Sequence, residues 1–93
     1  MKGSENALRR LQEGVGTWNA WRDKNPDEIP DLNGADLARQ DLKGINLREA
    51  RILDANLTHT ALEDADLSNA SLGESDLTGA NLEGARLNAT HFI

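Results

Sequence analysis

The sequence predicts an all-β solenoid: a four-sided parallel β-helix of about three coils, topped by one N-terminal α-helix. Three observations predict it. From Leu32 to Phe92 an apolar residue stands at every fifth position without a slip in register. Two places before nearly every one stands a small residue. Ahead of this array runs an apolar stripe with helical spacing.

The leader comes first. Residues 4–24 read as one helix, with Ser4 as N-cap and Glu5 in the first turn. Leu8, Leu11, Val15 and Trp18 recur at helical spacing, and Trp21 or Arg22 extends the stripe. Gly14 and Gly16 weaken the helix by about 1 kcal/mol each, so it needs tertiary support. Asn25-Pro26 ends it, because the residue before proline disfavours α geometry. A connector follows to Pro30. The first coil of a solenoid exposes leucines and open backbone groups, so it needs a cap. Leu8, Leu11, Val15 and Trp18 are assigned to that cap. Two tryptophans are also an interaction hot-spot composition, and at least one is expected in the core. The division is therefore residues 1–30 as capping helix and connector, and 31–93 as solenoid.

The repeat reads Ala-Asp/Asn-Leu-x-x. Its period suits no ordinary element. On a helix, five residues advance about 140° net, which would scatter the leucines around the axis. On a straight strand an odd period sends successive leucines to opposite faces. The unit works if three residues run extended and the next two turn a corner. The small residue and the leucine then point inward and the Asp or Asn outward. Gly34, Gly44, Gly79 and Gly84 occupy the second corner position, where a positive φ is often needed. Four such units close a coil of about twenty residues. The expected core layers are Leu37, Leu42, Leu47 and Ile52, then Leu57, Leu62, Leu67 and Leu72, then Leu77, Leu82, Leu87 and Phe92.

Ala35-Asp36-Leu37, Ala55-Asn56-Leu57, Ala65-Asp66-Leu67 and Ala80-Asn81-Leu82 resemble the pentapeptide-repeat family, whose pattern is A-[D/N]-L-x-x. The likeness covers about two-thirds of the chain. It implies a right-handed quadrilateral β-helix. Gln40 and Ile45 depart from the small residue and Ile52 from leucine. The leader resembles the start of bacterial, notably cyanobacterial, members through Trp18-Asn19, Trp21-Arg22, Asn25-Pro26 and Pro30-Asp31-Leu32.

Composition excludes several functions. There is no cysteine, so disulfides and thiolate metal sites are ruled out. No apolar run is long enough to span a bilayer, and a cytoplasmic protein without membrane partners is expected. Residues 31–93 hold eleven acidic and five basic side chains, which accounts for the whole net charge of −6. A nucleic-acid partner held through phosphates is not expected.

Stacking at twenty residues pairs Lys43 with Glu63, Asp31 with Arg51 and Asp66 with Arg86, and sets Asp54 over Glu74 and Glu63 over Glu83. Asp36, Asn56 and Asp76 form an outward column of hard-cation donors, but exposed carboxylates at this spacing stay solvated, and no metal is expected. His59 stacks on Arg39 and Gly79 without a nucleophile, and His91 lies near the last coil, so no catalytic residue and no cofactor is expected. Leu53, apolar at an outward corner, is a candidate contact. Beyond Phe92 only Ile93 follows, so the last layer is wet unless something docks there. A homodimer through the coil around Phe92 is one expectation, and a frayed edge the other.

The leading functional expectation is a non-enzymatic protein–protein interaction or scaffolding module with an unknown protein partner. By family analogy, a second is a DNA mimic that modulates a topoisomerase (gyrase), although about 15 Å of solenoid covers only a few base pairs. A third is a regulatory partner of a signalling protein. A fourth is a fragment or a designed minimal solenoid.

Overall fold

The computed structural model describes residues 4–93; the first residues of the expected 1–30 segment lie outside the described residues. The leader forms two helices where one was expected, α1 (Glu5–Gln12) and α2 (Val15–Lys24). Gly14 is the cause. Its φ of 103° is open to glycine and costly for any side chain, and it starts α2 by accepting the Trp18 N–H at 3.0 Å. Ser4 caps α1, accepting the Ala7 N–H at 3.3 Å. α2 stops at Lys24, before Asn25-Pro26.

From Asp31 the chain winds as a coil with a repeat of twenty residues. Parallel bridges join Asp31 to Arg51, Arg51 to Ser71 and Ser71 to His91; Asp36 to Asn56 and Asn56 to Asp76; Asp41 to Ala61 and Ala61 to Asn81; Asn46 to Asp66 and Asp66 to Arg86. These are four faces. Each carries single bridges rather than the regular strands expected, because only three residues run extended between corners.

Hydrogen bonding explains the repeat residue by residue. The leucine N–H donates to the Asp/Asn carbonyl one turn on, as Leu37 does to Asn56 at 2.8 Å. The second-corner N–H does likewise, Arg39 to Thr58 at 2.9 Å. The Asp/Asn N–H donates back, Asn56 to Ala35 at 2.9 Å. The small residue's N–H closes the corner, Ala65 to Leu62 at 3.1 Å. That leaves the first-corner N–H, and the Asp or Asn side chain takes it: Asp36 from Ala38 at 3.2 Å, Asn56 from Thr58 at 3.0 Å, Asp76 from Thr78 at 3.0 Å. Asp and Asn recur because they satisfy this donor. Pro30 has no N–H, but as the first small residue it has no earlier corner to close.

Every second corner from Gly34 to Ala89 has a positive φ, whether the residue is glycine or not; Arg39 stands at 64°, His59 at 57° and Asp64 at 60°. Closing bonds with φ positive at the third turn residue are type II geometry. Most of these residues therefore carry a left-handed backbone at a cost that the coil's bonds offset.

Inside, Leu32, Leu37, Leu42, Leu47, Ile52, Leu57, Leu62, Leu67 and Leu72 are buried, with Ala35, Ile45, Ala50, Ala55, Ala65 and Ala70 beside them. The departures Gln40 and Ile45 do not disturb the first turn: Ile45 is fully buried and closes its corner on Leu42 at 3.1 Å. The last layer differs from the expected core. Leu77 and Leu82 are half-buried, Leu87 is 39 % exposed and Phe92 44 %, because among the described residues no layer packs beneath them. Hydroxyls at the small position tie turns together: Thr60 donates to the Leu37 carbonyl at 2.9 Å and Thr90 to Leu67 at 2.7 Å. Ser75 does more. Its hydroxyl donates to the Ile52 carbonyl and accepts the Ala55 N–H at 3.0 Å, taking the place of that corner's closing bond.

Candidate functional site

The helical leader is built to meet the first turn. In lower turns, a carbonyl such as Asp66 O receives the leucine N–H above it, and the Asp66 N–H donates to Ile45 O above it. Among the described residues the first turn has no coil above it, and the leader supplies partners on two of its four faces. Ser4 is extended, and its N–H donates to Asp31 O at 2.9 Å. On the face of Asn46, the Trp18 Nε1–H donates to Asn46 O at 2.8 Å. Asn19 accepts the Asn46 N–H at 2.8 Å through Oδ1 and donates to Gly44 O at 3.0 Å through Nδ2. Arg22 donates from Nη1 to Asn46 O at 3.2 Å and from Nη2 to Arg48 O at 2.8 Å.

Trp18, Asn19 and Arg22 sit at i, i+1 and i+4, which places them on one side of α2. Trp18 is fully buried and Leu11 is buried; Leu8 and Val15 are half-buried and pack against the core. The sequence stripe missed Ala7, which is buried; Arg22, read with Trp21 as an extension of the stripe, is buried as well. A buried arginine breaks the apolar pattern, so hydropathy alone cannot find it. Burial holds the Arg22 guanidinium below its ordinary value, opposed by the nearby Glu49 carboxylate. Its Nε–H has no partner among the described residues.

Trp21, one turn on from Trp18, packs against the same core from its margin. It is half-buried, and its ring centroid lies 5.5 Å from that of Trp18. The Arg10 guanidinium carbon stands 4.0 Å over it, in cation–π geometry. A groove opens on each side of this stack. One is lined by Ser4, Asn6, Ala7, Glu28, Ile29 and Pro30, the other by Glu13, Thr17, Ala20 and Lys24. Ile29 is 58 % exposed at the first.

The outer faces carry little chemistry. Asp36, Asn56 and Asp76 line up, but each turns its Oδ1 back onto its own repeat. Among the described residues no group of three or more His, Cys, Asp or Glu side chains is placed to hold a metal ion. Lys43 pairs with Glu63 at 3.6 Å. Asp66 pairs not with Arg86, as stacking predicts, but with Arg48 from the turn above, at 3.1 Å. Burial raises the Asp66 carboxyl, but hydrogen bonds from Ser68 and Arg48 outweigh it and hold it below the ordinary carboxylate value. The Thr78 hydroxyl and N–H lower that of Asp76. The His59 ring lies directly over Gly79, which has no Cβ to obstruct it. Leu53, expected as an outward contact, is half-buried and packs over Gly73. Among the described residues no helix is long and apolar enough to cross a membrane.

The family model for pentapeptide repeats, in eight copies, matches residues 31–69 and 55–92. Among solved structures, the chain is 31 % identical to the pentapeptide repeat protein Rfr23 from the cyanobacterium Cyanothece 51142, with a TM-score of 0.53 over 67 % of this chain and 46 % of that one. It is 38 % identical to a pentapeptide repeat protein from the Arabidopsis thaliana thylakoid lumen, at a TM-score of 0.46 over 64 % of this chain and 52 % of that one. A pentapeptide repeat protein from Nostoc Pcc 7120 is 39 % identical, at a TM-score of 0.33 over 60 % of this chain and 55 % of that one. The chain thus spans about half the length of these solved proteins. No curated protein matches it.

Proposed function

The chain belongs to the pentapeptide-repeat family, and from that premise we propose that it is a non-enzymatic protein–protein interaction or scaffolding module, shaped as a right-handed quadrilateral β-helix of about three coils. One observation carries the reading. The inside of the coil is filled by leucine and alanine, and most backbone donors of the repeat are spent on neighbouring turns, so what remains for function is the outside. Stiff outer faces with side chains at fixed intervals suit recognition of another macromolecule rather than enclosure of a substrate.

Proximity labelling with the chain fused to a biotin ligase tests this. A small set of proteins should be enriched, and excess untagged chain should compete them away. Labelling no different from that of free ligase would overturn the proposal.

The acidic balance of residues 31–93 favours a second reading, a DNA mimic that modulates a type II topoisomerase. A supercoiling assay separates the two: dose-dependent inhibition supports the mimic, and unchanged supercoiling removes it.

A further inference from the structure

We propose that the groove between α1 and α2, beside the Arg10–Trp21 stack, is the docking site for an acidic peptide segment that carries an apolar side chain. This rests on the interaction-module reading and names the surface it would use. The first observation is a division of labour between the tryptophans. Trp18 is fully buried, and its indole N–H is spent on Asn46. Trp21 is half-buried, and among the described residues its indole N–H makes no hydrogen bond to protein. Capping the first turn requires Trp18, Asn19 and Arg22; it does not require the outer side of Trp21.

The second observation is charge. Arg10 and Lys24 both line the groove, with Glu13 as its one acidic residue. Neither cation lies within ion-pair distance of a carboxylate; the ion pairs among the described residues are Lys43–Glu63 and Arg48–Asp66. The groove therefore has an excess of positive charge on a chain whose net charge is −6. The Arg10 guanidinium carbon is held 4.0 Å over the indole, and a guanidinium so placed meets a carboxylate with little further ordering to do. Ala20 and the Trp21 ring give an apolar floor beside it. Tryptophan and arginine are both among the residues enriched where binding energy concentrates. The solenoid's negative charge repels an acidic segment at long range. At physiological salt that field decays over about 8 Å, so the local pairing decides.

Panning a random linear peptide library on the intact chain tests the proposal. Recovered sequences should combine Asp or Glu with an aromatic or aliphatic residue. Their binding should weaken roughly tenfold or more on Arg10→Gln/Lys24→Gln, which removes two positive charges at polar side chains of similar length and should leave the circular dichroism spectrum unchanged. Bound peptide should shift the Trp21 indole N–H resonance while that of Trp18 stays put. Recovery of basic or uncharged sequences, or of none, would overturn the proposal. So would acidic peptides that bind the double variant equally well; that last result would place them elsewhere and leave the module reading standing.

Discussion

The Trp18 indole donates to the Asn46 carbonyl at 2.8 Å across a sequence separation of 28 residues, and Arg22 donates to the same oxygen at 3.2 Å. One carbonyl of the first turn thus receives from two side chains what carbonyls below it receive from backbone. The redundancy fixes what substitutions should do. Trp18→Phe keeps much of the packing and leaves Asn46 O with Arg22, so it should cost about 1 kcal/mol plus a small packing loss. Trp18→Ala opens a fully buried site and should cost about 3–5 kcal/mol. Arg22→Lys cannot span Asn46 O and Arg48 O together and should cost more than Trp18→Phe. Urea unfolding of the three variants gives the order. Equal losses for Trp18→Phe and Trp18→Ala would refute the role given to packing.

Leu62 and Leu87 occupy the same place in the repeat, yet Leu62 is fully buried and Leu87 is 39 % exposed. Leu62→Asn leaves a cavity and an amide without partners, and should cost at least ~3 kcal/mol. Leu87→Asn meets water and should cost less than about half as much. Thermal melts of the pair check this, and equal shifts would contradict the burial gradient.

That contrast marks what the sequence makes legible. The five-residue period gave the inward leucines and the corners, and capping chemistry gave the helix ends at Ser4 and Asn25. The period gave each layer equal weight, because periodicity does not register what lies beneath the last turn. Helical spacing in the leader read through Gly14, since the apolar stripe spans α1 and α2 and only the backbone angle shows the break. The five-residue reading treated Asp and Asn as outward surface, whereas each holds a backbone donor of its own repeat. Asn19 and Arg22 belong to the motifs of the resemblance, and Arg22 also falls on the stripe, but their role depends on Asn46 lying opposite, and no local pattern contains that.

Gly44 and Gly79 have nearly the same φ, 72° and 74°. An added Cβ would meet nothing within 4 Å at Gly44, but at Gly79 would collide with the His59 ring at Nδ1. Gly44→Ala should therefore cost only the left-handed backbone, about 1 kcal/mol. Gly79→Ala should cost more, by whatever displacing the exposed His59 ring requires. In the double variant His59→Ala/Gly79→Ala that excess should vanish, and a cycle of the single and double variants reads it directly. An excess that survives loss of the ring would show that His59 is not its source.

Asp66 and Asp76 both have carboxyls held below the ordinary value of 3.8. The unfolded chain then binds more protons at those sites than the folded one, so stability rises with pH through this range. Their contribution is full above the ordinary carboxylate value and is lost as pH falls through the lowered folded values. Asp66→Asn isolates one share of it. Asn46, Asn56 and Asn81 already make the same side-chain bond to the N–H two residues on, so the corner should survive the change. What disappears is the titration and the pair with Arg48, whose side chain is 47 % exposed and whose net worth is about 0–1 kcal/mol. Near neutral pH the variant should be slightly less stable than the parent. As pH falls below the ordinary carboxylate value the difference should shrink, since a protonated Asp66 no longer benefits from Arg48. Denaturation midpoints measured from pH 7 down into the acid range would show the two curves converging; curves that stay parallel would mean that Ser68 and Arg48 do not hold this carboxyl down.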